Sequence, residues 1–283
     1  MLYYGIKPES FGQLAVIGRQ IHEARTDDAR IKVKFVRPYG IVYLDQLMLN
    51  ASSQRPLLRV SSTYSEVNRY LKQSGFNHLT KHCDLSNEFP TEDIIKIRRF
   101  NGTPLQVEDQ VVTWLKENVF GFLPALSKKL SKRIVENLWE IVHNGILHGK
   151  SSNGVSAAGQ FYPQMGYFEV AFCDNGLGIV NTVRNHGVVT SSEPDSECIK
   201  WAIQKGNSTM PAGTSAGLGL HLLREFLRVN CGSIQIVSGE GYFGQFGEES
   251  PSYLTLRNSI AGTLVNLRVV FDNNLYQMKG EDK

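Results

Sequence analysis

The sequence predicts an α/β protein in which a smaller α/β domain precedes a larger α/β sandwich. In residues 31–80, short β-branched runs alternate with amphipathic stretches, as in a small α/β layer. Residues 110–149 have a helical pattern, and four strand-like segments begin at residue 167. We therefore assign residues 1–105 to the smaller domain and residues 106–283 to the larger one.

Composition and charge are those of an ordinary globular protein. The chain has 283 residues, of which 41% are hydrophobic and 20% are charged. Its formal net charge is +3 and no five consecutive charges share a sign, so no nucleic-acid surface is evident. The absence of a signal-peptide pattern and of a long apolar run predicts a cytoplasmic protein with no membrane segment. The four cysteines form no CxxC pair, which favours reduced thiols.

The smaller domain is predicted to contain two strands and two helices. The strand-like runs are "IKVKFV" and "PLLRVS", and each is followed by a helix-like stretch, "YGIVYLDQLMLN" and "SEVNRYLKQSGF". Residues 84–107 are rich in turn formers. We expect the domain boundary in this segment.

The larger domain is predicted to run as a helix, a strand, a long polar loop, a helix and three further strands. Val111, Leu115 and Val119 form one apolar stripe at helical spacing, and a second stripe runs from Leu130 to Val142. The strand-like segments are residues 167–173, 233–239, 252–256 and 263–271. Because most of these strands are consecutive, we expect them to be mostly antiparallel.

The stretch "WEIVHNGILHG" carries polar side chains along an otherwise apolar helix. Glu136, Glu140, Asn144 and His148 are four residues apart, so they share one helix face. On composition alone, a solvated face explains this stripe equally well. Gly145, however, weakens a helix interior by about 1 kcal/mol relative to alanine. A glycine there lets another group approach the helix backbone closely.

A second motif, "FCDNGLGI", follows the first strand of the larger domain. Asp174 is at the strand end, where its carboxylate can accept a hydrogen bond from an exocyclic amine. Gly176 and Gly178 form a turn whose backbone can contact a flat ligand. By itself the motif is also a good turn sequence without a ligand.

The third motif is the polar loop "KGNSTMPAGTSAGLGL" before the last helix. Its glycines lead into the N-terminus of that helix, where backbone N–H groups can bind an anion. The loop also offers four hydroxyl donors for a ligand: Ser208, Thr209, Thr214 and Ser215. It matches neither the P-loop nor the dinucleotide-binding pattern. A glycine-rich linker is the alternative interpretation.

The order of these motifs, with Gly262-Thr263 opening a strand, resembles the Bergerat (GHKL) ATP-binding fold over about residues 125–271. That is the histidine-kinase-like ATPase fold of histidine kinases, gyrase-type topoisomerases and mismatch-repair ATPases. The resemblance implies ATP and Mg²⁺ as ligands. It implies that Asn144 binds magnesium, that Glu140 is the general base and that Asp174 binds the adenine amino group. The other implied nucleotide contacts are Gly176, Gly178, Gly217, Leu218, Gly219 and Thr263.

Within this superfamily, "EIVHNGILHG" is most similar to the Glu-x-x-x-Asn-Ala-x-x-His-Gly motif of the anti-sigma-factor serine kinases. Gly145 stands where alanine is usual, and we expect this small-for-small exchange to be tolerated. The pattern "WAIQKGNST…AGLGL" resembles bacterial ATP-binding proteins of this type. In some of those, the N-terminal region is similar to STAS-like modules, which implies a regulatory role for residues 1–105.

Four functions are consistent with these motifs. The first is a regulatory switch that uses ATP binding or slow hydrolysis to change contact with a protein partner, and a homodimer fits this equally. The second is a serine/threonine protein kinase in which Glu140 assists a partner's hydroxyl. The third is a histidine kinase using His22, although the strand-like run after it leaves no room for the usual helical hairpin. The fourth is an interaction module that binds no nucleotide.

Overall fold

The computed structural model describes residues 8–23, 30–33, 36–52, 59–76, 93–147, 149–209 and 219–280. These residues form eight α-helices: α1 (Pro8–Glu23), α2 (Pro38–Ser52), α3 (Ser65–Gln73), α4 (Pro104–Asn118), α5 (Lys128–Leu147), α6 (Gly178–Asn185), α7 (Asp195–Ala202) and α8 (Gly219–Val229). They also form seven strands: β1 (Arg30–Lys32), β2 (Arg59–Ser61), β3 (Ile94–Phe100), β4 (Val155–Tyr162), β5 (Tyr167–Asp174), β6 (Ser233–Phe246) and β7 (Ser252–Val270). The predicted α/β class is confirmed at this level.

A five-stranded antiparallel sheet is the centre of the fold. Its strand order is β3-β4-β5-β7-β6, and β1 and β2 form a separate parallel pair. The predicted antiparallel pairing of the strands after residue 167 is confirmed. Among the helices in the described part of the chain, none is both long and apolar enough to cross a bilayer.

The strands differ from the sequence prediction in three places. The segments predicted as two strands, residues 252–256 and 263–271, are one strand, β7, because its irregular register with β6 accommodates the polar residues between them. Strand β3 lies inside the turn-rich segment 84–107, and β4 was not predicted. The segment between residues 173 and 205, predicted to have no regular structure, contains two short helices, α6 and α7.

Each face of the sheet is covered by helices. Along β5, Phe168, Val170 and Phe172 pack into a core formed with α4, α5 and α8. The alternate residues Ala171 and Cys173 pack on the other side, into a core formed with α1 and α2. The cavity described below lies on the side of α5.

The N-terminal helices are joined to the sheet by ion pairs as well as by apolar packing. Glu169 of β5 is fully buried, and its Oε1 accepts hydrogen bonds from Arg37 (3.0 Å) and from Arg268 (2.8 and 3.0 Å). Strand β3 pairs with β4 although it precedes residue 105. The boundary between residues 105 and 106 stays a prediction, and it falls in the first turn of α4.

Candidate functional site

One cavity lies between α5, the ends of the central strands, α6, α7 and the start of α8. Its cavity volume is about 130 Å³, or about 970 Å³ when the open solvent at its mouth is included. Its walls are mostly apolar, with a few polar side chains. Seven of the predicted site residues line it: Glu140, Asn144, Asp174, Gly178, Ser208, Thr209 and Thr263.

Asp174 is the buried carboxylate of this cavity. It ends β5 and is 5% exposed. Its Oδ1 accepts a hydrogen bond from the backbone N–H of Gly176 (2.9 Å). Burial raises the pKa of Asp174 to about 7, against the lowering effect of hydrogen bonds from the backbone of Gly176 and Thr263. The carboxylate is therefore costly to keep ionised in the folded protein, and an amine donor in the cavity would offset that cost.

Glycines bring the segments around Asp174 together. A Cβ on Gly176 would overlap the carbonyl of Gly149, and one on Gly178 would overlap the carbonyl of Gly262. Gly178 and Gly262 also have positive φ angles of 73° and 72°, which favour glycine. In addition, the backbone N–H of Leu177 donates to the carbonyl of Gly149 (2.7 Å). The turn after β5 is thus held against the end of α5 and against β7.

The close approach expected at Gly145 is confirmed. A Cβ at this position would lie 2.6 Å from Cγ2 of Val155 and 3.4 Å from Cβ of Asp174. Val155 is buried on β4 and pairs directly with Asp174. In this chain the glycine therefore accommodates a β-branched neighbour.

Replacing Gly145 with alanine is expected to destabilise the protein, although alanine is the better helix former. Overpacking of a filled site costs about 1–3 kcal/mol, whereas the helix propensity gained is about 1 kcal/mol. Urea denaturation measures the change. In a Val155→Ala background the same substitution should cost much less stability, and an unchanged stability of Gly145→Ala alone would contradict this packing.

Glu140 and Asn144 are the polar side chains of α5 that line the cavity. They are one helical turn apart, both are half-buried and both line the cavity. Glu136, one turn earlier, lies outside the cavity; its side chain is 42% exposed and accepts a hydrogen bond from Arg133 (2.9 Å). The predicted polar stripe therefore divides into two cavity residues and one surface residue. His148 lies outside the described residues.

Thr263 links the turn after β5 to β7. Its side-chain oxygen accepts the N–H of Ile179 (3.1 Å), close to the start of α6. It also lines the cavity beside Asp174. The nucleotide contact implied for this threonine stays a prediction.

Only part of the predicted loop site can be placed. Ser208 and Thr209 line the cavity, and α8 begins at Gly219. Thr214, Ser215, Gly217 and Leu218 lie outside the described residues. Gly176 does not line the cavity, but its backbone N–H donates a hydrogen bond to Asp174, which does.

Sequence reasoning missed Trp201 as a cavity residue. It is half-buried near the end of α7 and lines the cavity. The Asn207 amide donates to the Trp201 carbonyl (2.8 Å), which fixes the turn that carries Ser208. The signal in the sequence was the tryptophan a few residues before the hydroxyl-rich loop.

The oxygen atoms in the cavity suit a magnesium ion that is coordinated mainly by the phosphates of a bound molecule. No group of three His, Cys, Asp or Glu side chains is placed for a metal within the part of the chain that the structure describes. Magnesium, however, is usually bound by one or two protein oxygens together with phosphates and water. The Asn144 amide supplies such an oxygen in this cavity.

No family model matches this chain, and no curated protein matches it either.

Proposed function

We propose that this chain is an Mg-ATP-binding regulatory protein with the α/β sandwich of the histidine-kinase-like ATPases. One observation carries the proposal: Glu140, Asn144 and Asp174, from two separate motifs, meet in one largely apolar cavity. A flat heterocycle fits apolar walls that also offer a buried hydrogen-bond acceptor, here Asp174. A polyphosphate is bound together with a cation, for which Asn144 of α5 supplies an oxygen. The loop hydroxyls of Ser208 and Thr209 add donors at the same cavity.

Each of these residues has a distinct chemical task in the proposal. Asp174 accepts a hydrogen bond from the exocyclic amine of adenine. Asn144 holds magnesium, which when bound neutralises phosphate charge. Glu140 orients the attacking hydroxyl and accepts its proton. ATP binding or slow hydrolysis then changes how the chain contacts a protein partner.

The first test is titration of the protein with Mg-ATP by calorimetry. We expect saturable heat and displacement of a fluorescent ATP analogue. The central claim fails if there is neither heat nor displacement.

The fluorescence of Trp201 provides a second test of Mg-ATP binding, at the cavity itself. Because it lines the cavity, we expect Mg-ATP to change the intrinsic tryptophan fluorescence. Trp201→Phe should remove this change. Trp139→Phe is the matched control, because Trp139 packs against the core instead of lining the cavity, and it should retain the change. A signal that survives Trp201→Phe would contradict the location of the ligand.

A serine/threonine kinase is the second candidate, because Glu140 can serve a partner's hydroxyl as well as water. Incubation with γ-labelled ATP, alone and with candidate partners, separates the outputs. Label released as free phosphate supports an ATPase, and acid-stable label on a partner supports the kinase. Acid-labile label on this chain would instead support the histidine kinase that uses His22.

A further inference from the structure

Helix α2 has two fully buried polar side chains on the sheet face opposite the cavity. Asp45 accepts two hydrogen bonds from Arg99 of β3 (2.6 and 2.8 Å) and one from the Ser156 hydroxyl of β4 (2.7 Å). Next to it, the Gln46 amide donates to the Ser156 Oγ (2.9 Å) and more weakly to the Gly154 carbonyl (3.4 Å). The N-terminal helix is therefore bonded to specific atoms at the start of β4.

These hydrogen bonds lie on the opposite side of the sheet from Asp174, the proposed adenine contact. Ser156 is paired with Cys173 across the strands, and the preceding residue, Val155, is paired with Asp174. The side-chain amide of Asn175, in the turn after Asp174, also donates to the backbone carbonyl of Gln46 (3.4 Å). Both strands of the pair that carries the carboxylate are thus held from the α2 side.

Stability alone does not account for Gln46. Its Oε1 is buried and has no hydrogen-bond partner among the described residues. A buried polar atom without a partner costs free energy, whereas a leucine of similar size would leave no such atom. Ser156 would keep its bond to Asp45 in that case. A role in placing its neighbours explains why a glutamine is present.

We propose that Gln46, with Asp45, positions Asp174 and the turn after it, so that the N-terminal segment sets the nucleotide affinity of the cavity. This inference rests on the proposed function for the identity of the ligand. Gln46 touches no ligand and acts only through β4 and the turn, so it is a positioning residue. The smaller N-terminal region is then a structural part of the binding site.

The chain offers a matched control on the same sheet face. Gln235 of β6 is also fully buried, and its Oε1 accepts the Asn266 amide (2.8 Å). Its Nε2 likewise has no partner among the residues that the structure describes. Asn266 is paired with Ala171, three residues before Asp174, so Gln235 is bonded away from the turn.

The experiment compares Gln46→Leu with Gln235→Leu in the full chain by Mg-ATP titration. We expect Gln46→Leu to raise the Kd about tenfold while its melting temperature stays close to that of the wild type. Gln235→Leu should leave the Kd unchanged. Ser156→Ala, which removes the atom shared by Asp45 and Gln46, should weaken binding in the same direction and serves if Gln46→Leu does not fold. Equal Kd values for wild type and Gln46→Leu, or equal weakening by both leucine variants, overturn the proposal.

Amide hydrogen exchange of the free protein separates this inference from the proposed function. The N–H of Gly176 donates to Asp174 and that of Leu177 donates to the carbonyl of Gly149, so their exchange reports the position of the turn without any ligand. Gln46→Leu should accelerate exchange at both, and Gln235→Leu at neither. If the wild type binds no nucleotide, the proposed function fails, and this exchange still decides whether α2 positions the turn.

Discussion

Asp174→Asn is expected to weaken Mg-ATP binding by about a hundredfold, because hydrogen bonds to charged groups contribute about 1.5–3 kcal/mol. Asparagine keeps an acceptor for the N–H of Gly176, but its amide group also places donors toward the adenine amine. Asp174→Ala should abolish binding altogether. Calorimetric titration measures both variants, and binding of wild-type strength by Asp174→Ala would exclude this carboxylate as the base contact.

The same asparagine variant should stabilise the ligand-free protein at high pH. Burial raises the pKa of Asp174 from 3.8 to about 7, so the folded state retains a proton that the unfolded state loses between these values. The stability contributed by this group is therefore present below pH 4 and is lost as the pH rises to about 7. The full difference corresponds to about 4 kcal/mol.

Thermal unfolding at two pH values tests this dependence. The melting temperature of Asp174→Asn should exceed that of the wild type by several degrees at pH 8, and the difference should shrink toward pH 4. A constant difference across this range would show that the carboxylate does not titrate as its burial requires. A variant that gains stability while losing ligand identifies a site residue and excludes misfolding as the cause.

Glu140→Gln is expected to keep nucleotide binding and lose turnover. Glutamine preserves the size of the side chain but cannot accept the proton of an attacking hydroxyl. General-base groups contribute about 10²–10⁴ to a rate, so phosphate release or transfer should fall by at least about a hundredfold. The Kd for Mg-ATP should stay within about threefold of the wild type.

Glu136→Gln is the matched control for this result. Glu136 is on the same helix, one turn before Glu140, but it is on the surface and pairs with Arg133 and Lys132. Its substitution should change neither binding nor turnover. Equal turnover by Glu140→Gln and wild type would assign the carboxylate to binding instead of proton transfer.

Much of the candidate site was predictable because its residues follow local rules. The spacing of Glu140 and Asn144 places them on one helix face, and the strand before Asp174 fixes where its carboxylate lies. Gly145 signalled a close approach, and the structure identifies Val155 as the group that approaches. These inferences needed only the period of a helix or a strand.

The parts that were missed depend on contacts between distant segments. Strand β3 was assigned to a turn-rich segment because turn formers flank it on both sides, whereas its pairing with β4 makes it an edge strand. The burial of Asp45 and Gln46 requires partners about 110 residues away. No local pattern in α2 indicates that its polar side chains face a strand pair behind the cavity.

The glycines around Asp174 have a consequence for reading sequence variation in this chain. Gly149, Gly176, Gly178 and Gly262 leave no space for a Cβ, because each approaches another backbone directly. Any side chain there would separate the segments that form the cavity, whatever ligand it holds. In a mutational scan, these positions should therefore tolerate no substitution under any selection that requires the folded protein. Under the proposed function, ligand binding and turnover depend instead on Asp174, Asn144 and Glu140, where a side chain can be exchanged while the backbone stays in place.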